Sequence, residues 1–211
     1  MRRALTGLAV TAFTVLALAG PASAASGQVT QFRFHGTFAD ALWSTSSATS
    51  FTDTFVNVSK SLQGSELFVE QFTENLDANG NLTGATDTSA DVTSGFTFTI
   101  DQPLTSASTS GSGLPATTCT FDANFNLIGC SPSTIDVAAN WTGQGPTTRA
   151  VFTEHFKSDG FSETDHFNGT DRAATATGAI GGLTLTAGDL DFADLATAKS
   201  GTTIICIGGS C

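Results

Sequence analysis

Apolar residues recur at every second position along most of this chain. Two clear rows are Phe96, Phe98, Ile100 and Ile135, Val137, Ala139, Trp141. This alternation is typical of strands that bury one face, whereas an amphipathic helix repeats its apolar residues every three or four positions. Turn dipeptides such as Asn79-Gly80 and Gly181-Gly182 separate the rows. The pattern predicts one antiparallel all-β domain of roughly ten strands, either a two-sheet β-sandwich or a meandering β-barrel.

Two segments of small polar residues are predicted to interrupt the strands. The segment from Ser106 to Gly113 consists almost entirely of Ser, Thr and Gly, which is typical of a loop. Asn168-Gly169 is predicted to be a further turn, because both residues tolerate left-handed backbone.

The first 24 residues have the pattern of a secretory signal peptide. Arg2 and Arg3 precede an apolar run from Ala4 to Ala19, and Ala22-Ser23-Ala24 forms a small-x-small cleavage site. The run is too short for a membrane anchor and lacks a charged stop beyond it. We therefore expect residues 1–24 to be removed, leaving residues 25–211 as a single secreted, extracellular domain without a membrane association.

The acidic charge excludes several classes of partner. The chain has a formal net charge of −11. Signal cleavage would remove two Arg and leave six basic residues against nineteen acidic ones. Nucleic acids and anionic lipids are recognised mainly through Lys and Arg. The sequence therefore predicts no nucleic-acid partner, and it leaves the extracellular partner or ligand unidentified.

All four cysteines follow the predicted signal peptide, and an even number in an exported chain predicts disulfides. A turn centred on Asn124-Phe125 would place Cys119 directly opposite Cys130 across a hairpin. Cys206 and Cys211 enclose a short loop with two Gly, which allows the chain to fold back. We therefore expect the pairs Cys119–Cys130 and Cys206–Cys211.

The segment from Thr153 to Phe167 carries the acidic and His residues that are the best candidates for metal binding or acid/base catalysis. A two-residue turn at Asp159-Gly160 would place His155 opposite Thr164 and His166 opposite Thr153, on one side of the ribbon. The imidazoles would then be diagonal neighbours, roughly 7 Å apart at Cβ, and could share a metal. A third ligand, such as His35, would be needed. The alternatives are a solvent-exposed pair without a ligand and an acid/base pair of a hydrolase.

Two short segments resemble the start of a calcium loop. Asp77 and Asp122 each begin an Asp-Ala-Asn-x-Asn-Leu sequence. Neither copy has the Gly at the sixth position or the downstream Glu of a calcium loop. Asp and Asn also form ordinary hairpin turns, which is the prediction we prefer at both sites.

The stretch from Ile135 to Thr203 resembles uncharacterised secreted proteins of actinobacterial type. The resemblance is carried by Trp141-Thr-Gly-Gln-Gly145, Arg149, His155-Phe156, Gly160-Phe161 and Arg172-Ala-Ala-Thr-Ala176. It implies export and assigns no activity or ligand.

No nucleophile, metalloprotease or phosphate-loop motif accompanies these features, so the sequence predicts no cofactor. The leading hypothesis is a disulfide-linked extracellular binding or structural module without catalytic activity. The alternatives are a metal-binding protein or metal-dependent hydrolase built on His155 and His166, and a barrel that binds a small lipophilic ligand, which the many Phe residues suggest.

Overall fold

The computed structural model describes residues 28–158 and 161–207, and these form strands joined by turns and short loops. The strands, in chain order, are β1 (Gln28–Ser46), β2 (Ser50–Ser61), β3 (Ser65–Leu76), β4 (Leu82–Val92), β5 (Phe96–Ile100), β6 (Ser106–Asp122), β7 (Leu127–Gly143), β8 (Thr148–Ser158), β9 (Phe161–Ile180), β10 (Leu183–Leu185) and β11 (Leu190–Ile207). The predicted signal peptide, residues 1–24, lies outside the described residues.

All eleven strands belong to one antiparallel sheet. Its pairings form a ring of eight strands in the order β1, β2, β3, β4, β6, β7, β9 and β11, with β11 pairing back onto β1. The remaining strands attach to the ring, β5 on β6 and both β8 and β10 on β9. The prediction of an antiparallel all-β domain of the sandwich or barrel kind is therefore confirmed. Within the described chain, no helix is long and apolar enough to span a membrane.

The alternating row of β7 points into the ring, and the row of β5 packs, partly buried, against the same core. The largest fully buried side chains include Trp43, Trp141, Leu67, Leu104, Leu114, Ile180, Leu185 and Leu195. The two indoles also link strands across the interior. Trp141 Nε1 donates to the Asp40 carbonyl at 2.7 Å, and Trp43 Nε1 donates to the Ala176 carbonyl at 3.3 Å. The polar end of each buried indole is thus satisfied by backbone.

Strand β9 changes its partner halfway along its length. Residues 161–171 pair with β8, and residues 174–180 pair with β7. The loop of residues 144–147 joins β7 to β8 beside this change of partner. We call this end of the ring interior, where β8 replaces β7 as the partner of β9, the mouth of the ring.

The predicted loop from Ser106 to Gly113 is wrong, because these residues lie in β6. Hydroxyl pairs to β5 stabilise the segment, with Thr97 Oγ1 at 2.9 Å from Ser110 Oγ and Thr99 Oγ1 at 2.8 Å from Ser108 Oγ. Backbone pairing with β7 on the other side completes its hydrogen bonding. Ser and Thr pair well across strands, so their abundance did not mark a loop here.

The predicted turn at Asn168-Gly169 is also wrong, since both residues lie inside β9. Position 169 requires glycine because the backbone of β11 approaches it closely, and not because the chain turns there. A Cβ at this position would lie 2.2 Å from the Thr197 carbonyl oxygen on β11. The glycine therefore allows two strand backbones to approach beside a register shift in β11.

Candidate functional site

A pocket of about 470 Å³ lies at the mouth of the ring. The β5–β6 loop, the β7–β8 loop and strands β9 and β11 line this open pocket, and its lining includes Gln102, Leu104, Thr147, Thr170, Arg172 and Thr197. Its volume is within the range of about 300–1,000 Å³ that is common for small-molecule sites. We call this cavity the mouth pocket.

Arg172 is the charged residue of the pocket lining. Its Nη1 donates to the Pro103 carbonyl oxygen at 3.2 Å, while its Nε is shielded from solvent and has no acceptor among the described residues. The side chain lies against Gly143, where a Cβ would be 2.9 Å from both Cδ and Nε. A buried donor without an acceptor costs about 1–3 kcal/mol. The guanidinium is thus held in place with unused hydrogen-bonding capacity.

A row of polar residues crosses the sheet at the mouth. Antiparallel pairing aligns the row as Arg149, Thr170, Thr197, Thr37 and Lys60. Cross-strand partners share one face of a sheet, so Arg149 lies on the side of Thr170 that lines the pocket. Arg149 and Lys60 are both exposed. The row therefore has a basic residue at each end, in a protein with a net charge of −11.

The outer face of the ring has the opposite character. Asp40 is 1% exposed there, and Asn57 Nδ2 donates to its Oδ1 while Oδ2 has no partner among the described residues. Burial and, to a lesser extent, the charge of Asp194 together raise the pKa of Asp40 to about 8, although the hydrogen bond from Asn57 opposes the rise. Burial and the charge of Asp171 raise the pKa of Asp194 to about 6. The outer face thus buries acidic groups whose ionisation is suppressed, whereas the mouth pocket carries a guanidinium.

The β8–β9 pairing follows the register predicted for the His segment. His155 pairs with Thr164 and His166 with Thr153, so both imidazoles lie on one face as diagonal neighbours. Each Nδ1 hydrogen-bonds to the opposite hydroxyl, at 3.0 Å for His155 and 2.9 Å for His166. Asp159-Gly160 itself lies outside the described residues, but Ser158 and Phe161 pair directly beside it.

The proposed third ligand lies two strands away from this pair. His35 is on β1, β11 separates β1 from β9, and His35 Nδ1 contacts the Lys199 carbonyl oxygen at 2.6 Å. No cluster of three or more His, Cys, Asp or Glu suited to a metal occurs among the described residues. A metal at His155 and His166 stays a prediction.

One predicted disulfide is present. Cys119 and Cys130 pair across β6 and β7 and form a bond, with their Cα atoms 4.0 Å apart. The register is the one that the turn at Asn124-Phe125 predicts, and Phe125 there has a left-handed φ of 60°. Cys206 lies in β11, but Cys211 lies outside the described residues. The Cys206–Cys211 bond therefore stays a prediction.

Asp77 and Asp122 build the same turn twice. In each copy one carboxylate oxygen accepts the backbone N–H groups two and four residues ahead, at 2.8 to 2.9 Å, and the other accepts from the Asn side chain. These contacts lower the pKa of both carboxyls, chiefly through the Asn81 and Asn126 side chains. The carboxylates thus act within their own turns, which is the role we predicted for them.

Sequence reasoning missed the mouth pocket. In the sequence, Arg172 was identified only among the residues that carry the resemblance, although its position in the alternating pattern is informative. It ends the inward-facing row of Ala174, Ala176 and Ile180. A charged residue that continues an apolar row predicts the point where a strand leaves the core.

Comparison of the chain with protein-family models, curated proteins and solved structures finds no match. The function is therefore argued from the site alone.

Proposed function

We propose that this protein is a secreted, non-catalytic binding module whose ligand site is the mouth pocket. One observation carries the proposal: a cavity of about 470 Å³ contains a guanidinium that is anchored at one nitrogen and unpaired at another. Ligand sites commonly combine a preformed cavity with a few polar groups that converge on it. The mouth pocket has both properties.

Secretion is part of this proposal. The signal-like residues 1–24 support it, and the Cys119–Cys130 bond is compatible with an oxidising compartment. A disulfide-linked β-sheet with one end open to small molecules suits a protein that works outside the cell.

Packing of the interior favours a polar site over a lipophilic one. The inward-facing residues of the ring contact each other and are almost completely buried, from Trp43 and Trp141 to Leu195. A lipophilic ligand would need an apolar cavity among them. Threonine and Arg172 line the mouth pocket instead, so we place the ligand at the end of the ring rather than in its centre.

The second candidate is metal binding at His155 and His166. Their diagonal placement on one face favours it, and each retains an Nε2 atom that could coordinate a metal. Two imidazoles without a third ligand among the described residues make a weak metal site. We therefore rank it second.

A library screen tests the proposed site. Native mass spectrometry of the mature, oxidised protein against a library of polar small molecules should reveal one-to-one complexes. Thr147→Trp should abolish them, because the indole would project from the β7–β8 loop into the pocket. Gln63→Trp is the matched control, since Gln63 is exposed in the loop between β2 and β3. If no compound binds, or if every complex survives Thr147→Trp, the mouth pocket is not the ligand site.

A further inference from the structure

We propose that the mouth pocket binds a small organic carboxylate that also carries hydroxyl groups, such as a sugar acid, with Arg172 pairing to the carboxylate and Arg149 adding positive charge. This inference rests on the proposed function and names its class of ligand. Three observations carry it: the donors left on Arg172, the position of Arg149, and the neutral lining of the pocket.

The guanidinium of Arg172 offers one free edge. Nη1 is engaged by the Pro103 carbonyl oxygen, which fixes the orientation of the plane. Nε is shielded from solvent, whereas Nη2 has no acceptor among the described residues and is not shielded. Nη2 and the second N–H of Nη1 form the end of the guanidinium that can bind a carboxylate in a planar, two-bond arrangement. A carboxylate provides two coplanar oxygens, whereas phosphate sites commonly add backbone N–H groups at a helix N-terminus. The described residues form no helix that could supply such groups, so we assign this edge to a carboxylate.

The charge around the pocket has the sign that such a ligand requires. No carboxylate among the described residues forms an ion pair with Arg172, so none of them neutralises its positive charge. Arg149 lies directly across from Thr170, one position along the same face from Arg172. Two guanidiniums thus flank Thr170 in a protein with few basic residues. A positively charged site attracts anions even when the net charge of the protein is negative.

Hydroxyl and amide groups complete the lining. The side chains of Gln102, Thr147, Thr170 and Thr197 form no hydrogen bond with another described residue. Each could donate to or accept from a ligand hydroxyl. The cavity volume also suits a molecule of about monosaccharide size. These groups explain why the carboxylate should carry hydroxyls rather than a hydrocarbon chain.

Side-chain NMR tests the ligand class directly. The oxidised protein, labelled with ¹⁵N, would be titrated at pH 7 with D-glucuronate, D-glucose and D-glucose 6-phosphate. Glucuronate and glucose differ only in the carboxylate. We expect glucuronate to shift the Arg172 Nε–Hε signal and the amide signals of residues 102–104 and 145–147 saturably. Glucose should bind at least about ten-fold more weakly, as expected for the loss of a charge-assisted pair.

Three variants each remove one positive charge; two of them test the proposed site and the third is the control. Arg172→Gln should weaken glucuronate binding by about ten-fold or more, and Arg149→Gln by a few-fold. Lys199→Gln removes the same charge from an exposed site outside the pocket lining and should leave the affinity unchanged. If Arg172→Gln does not fold, Arg172→Lys keeps the charge but loses the planar edge and should still weaken binding.

Three results would overturn the inference. Equal binding of glucose would show a neutral ligand class and leave the proposed function intact. Tighter binding of glucose 6-phosphate than of glucuronate would assign the site to phosphates. Absence of any shift at Arg172 with all three probes would remove the anion site, while the library screen would still decide whether the pocket binds anything.

Discussion

Asp40 on β1 and Asp194 on β11 are directly paired across the sheet, and both carboxyls have raised pKa values. Asp40 is almost completely buried, and Phe38 on the same strand packs edge-on against Phe167 at 6.0 Å. The outer face of the ring thus buries an acid beside aromatic side chains. The pair makes stability depend on pH in a direction that is unusual for Asp.

The sign follows from proton binding. The folded protein keeps Asp40 protonated up to a pH of about 8, whereas the unfolded chain ionises it near the ordinary aspartate pKa of 3.8. The folded state therefore binds more protons between these values, so stability falls as pH rises, by roughly 1.4 kcal/mol per pH unit for each such group. We predict that the melting temperature falls from pH 5 to pH 8, and that Asp40→Asn raises it at pH 8 while having little effect near pH 4.

Asp136→Asn is the control for that measurement, because its effect should have the opposite sign. Hydrogen bonds from the Gly113 backbone and the Ser112 side chain lower the pKa of Asp136. Its stabilisation is therefore present above its unfolded pKa and is lost as pH falls. A Tm profile of Asp40→Asn that parallels the wild-type profile from pH 5 to pH 8 would contradict our account of Asp40.

Removing the β6–β7 disulfide should weaken the fold without abolishing it. The Cys119–Cys130 bond closes a loop with a sequence separation of 11, for which chain entropy gives about 3 kcal/mol. We expect the double variant Cys119→Ser/Cys130→Ser to lose about that much unfolding free energy in urea titrations. An unchanged urea midpoint would mean that the bond does not constrain the unfolded chain as argued.

Replacing Trp141 by Phe should test the hydrogen bond across the ring. The substitution keeps an aromatic ring but removes the donor to the Asp40 carbonyl oxygen. We expect a loss of about 1–3 kcal/mol, measured by chemical denaturation. Val151→Ala, at a position that is 61% exposed, should change stability little. Equal effects of the two substitutions would argue against the cross-ring contact.

Metal analysis separates the two candidate functions. Because His155 and His166 lack a third ligand among the described residues, we predict that protein purified without chelators retains no stoichiometric transition metal by elemental analysis. One equivalent of metal that disappears in His166→Ala would support the metal alternative instead. Thr153→Ala, which removes only the hydrogen bond to His166, would then serve as the control.

Local chemistry predicted the hairpins well. The turns at Asn124-Phe125 and Asp159-Gly160 led to the register of both flanking pairs, because a short turn fixes which residues face each other. The alternating pattern likewise identified Ile135, Val137, Ala139 and Trp141 of β7 as inward-facing, and all four are buried.

Long-range pairing could not be predicted in the same way. The contacts of β11 with β1 and of β7 with β9 join distant parts of the chain, and no local turn specifies them. The mouth pocket depends on these pairings, since they bring the β5–β6 loop and Arg172 together. Gly169 illustrates the limit: its sequence context resembles a turn, and only the approach of β11 explains why it lies in a strand.

The central claim is that ligands enter the mouth of the ring. It is tested most directly by mapping amide chemical-shift changes across the whole protein with the tightest-binding compound from the library screen. We predict that the largest changes fall on residues 102–104, 145–147, Thr170, Arg172 and Thr197. Largest changes on the face that carries His155 and His166, with the mouth unaffected, would contradict the claim.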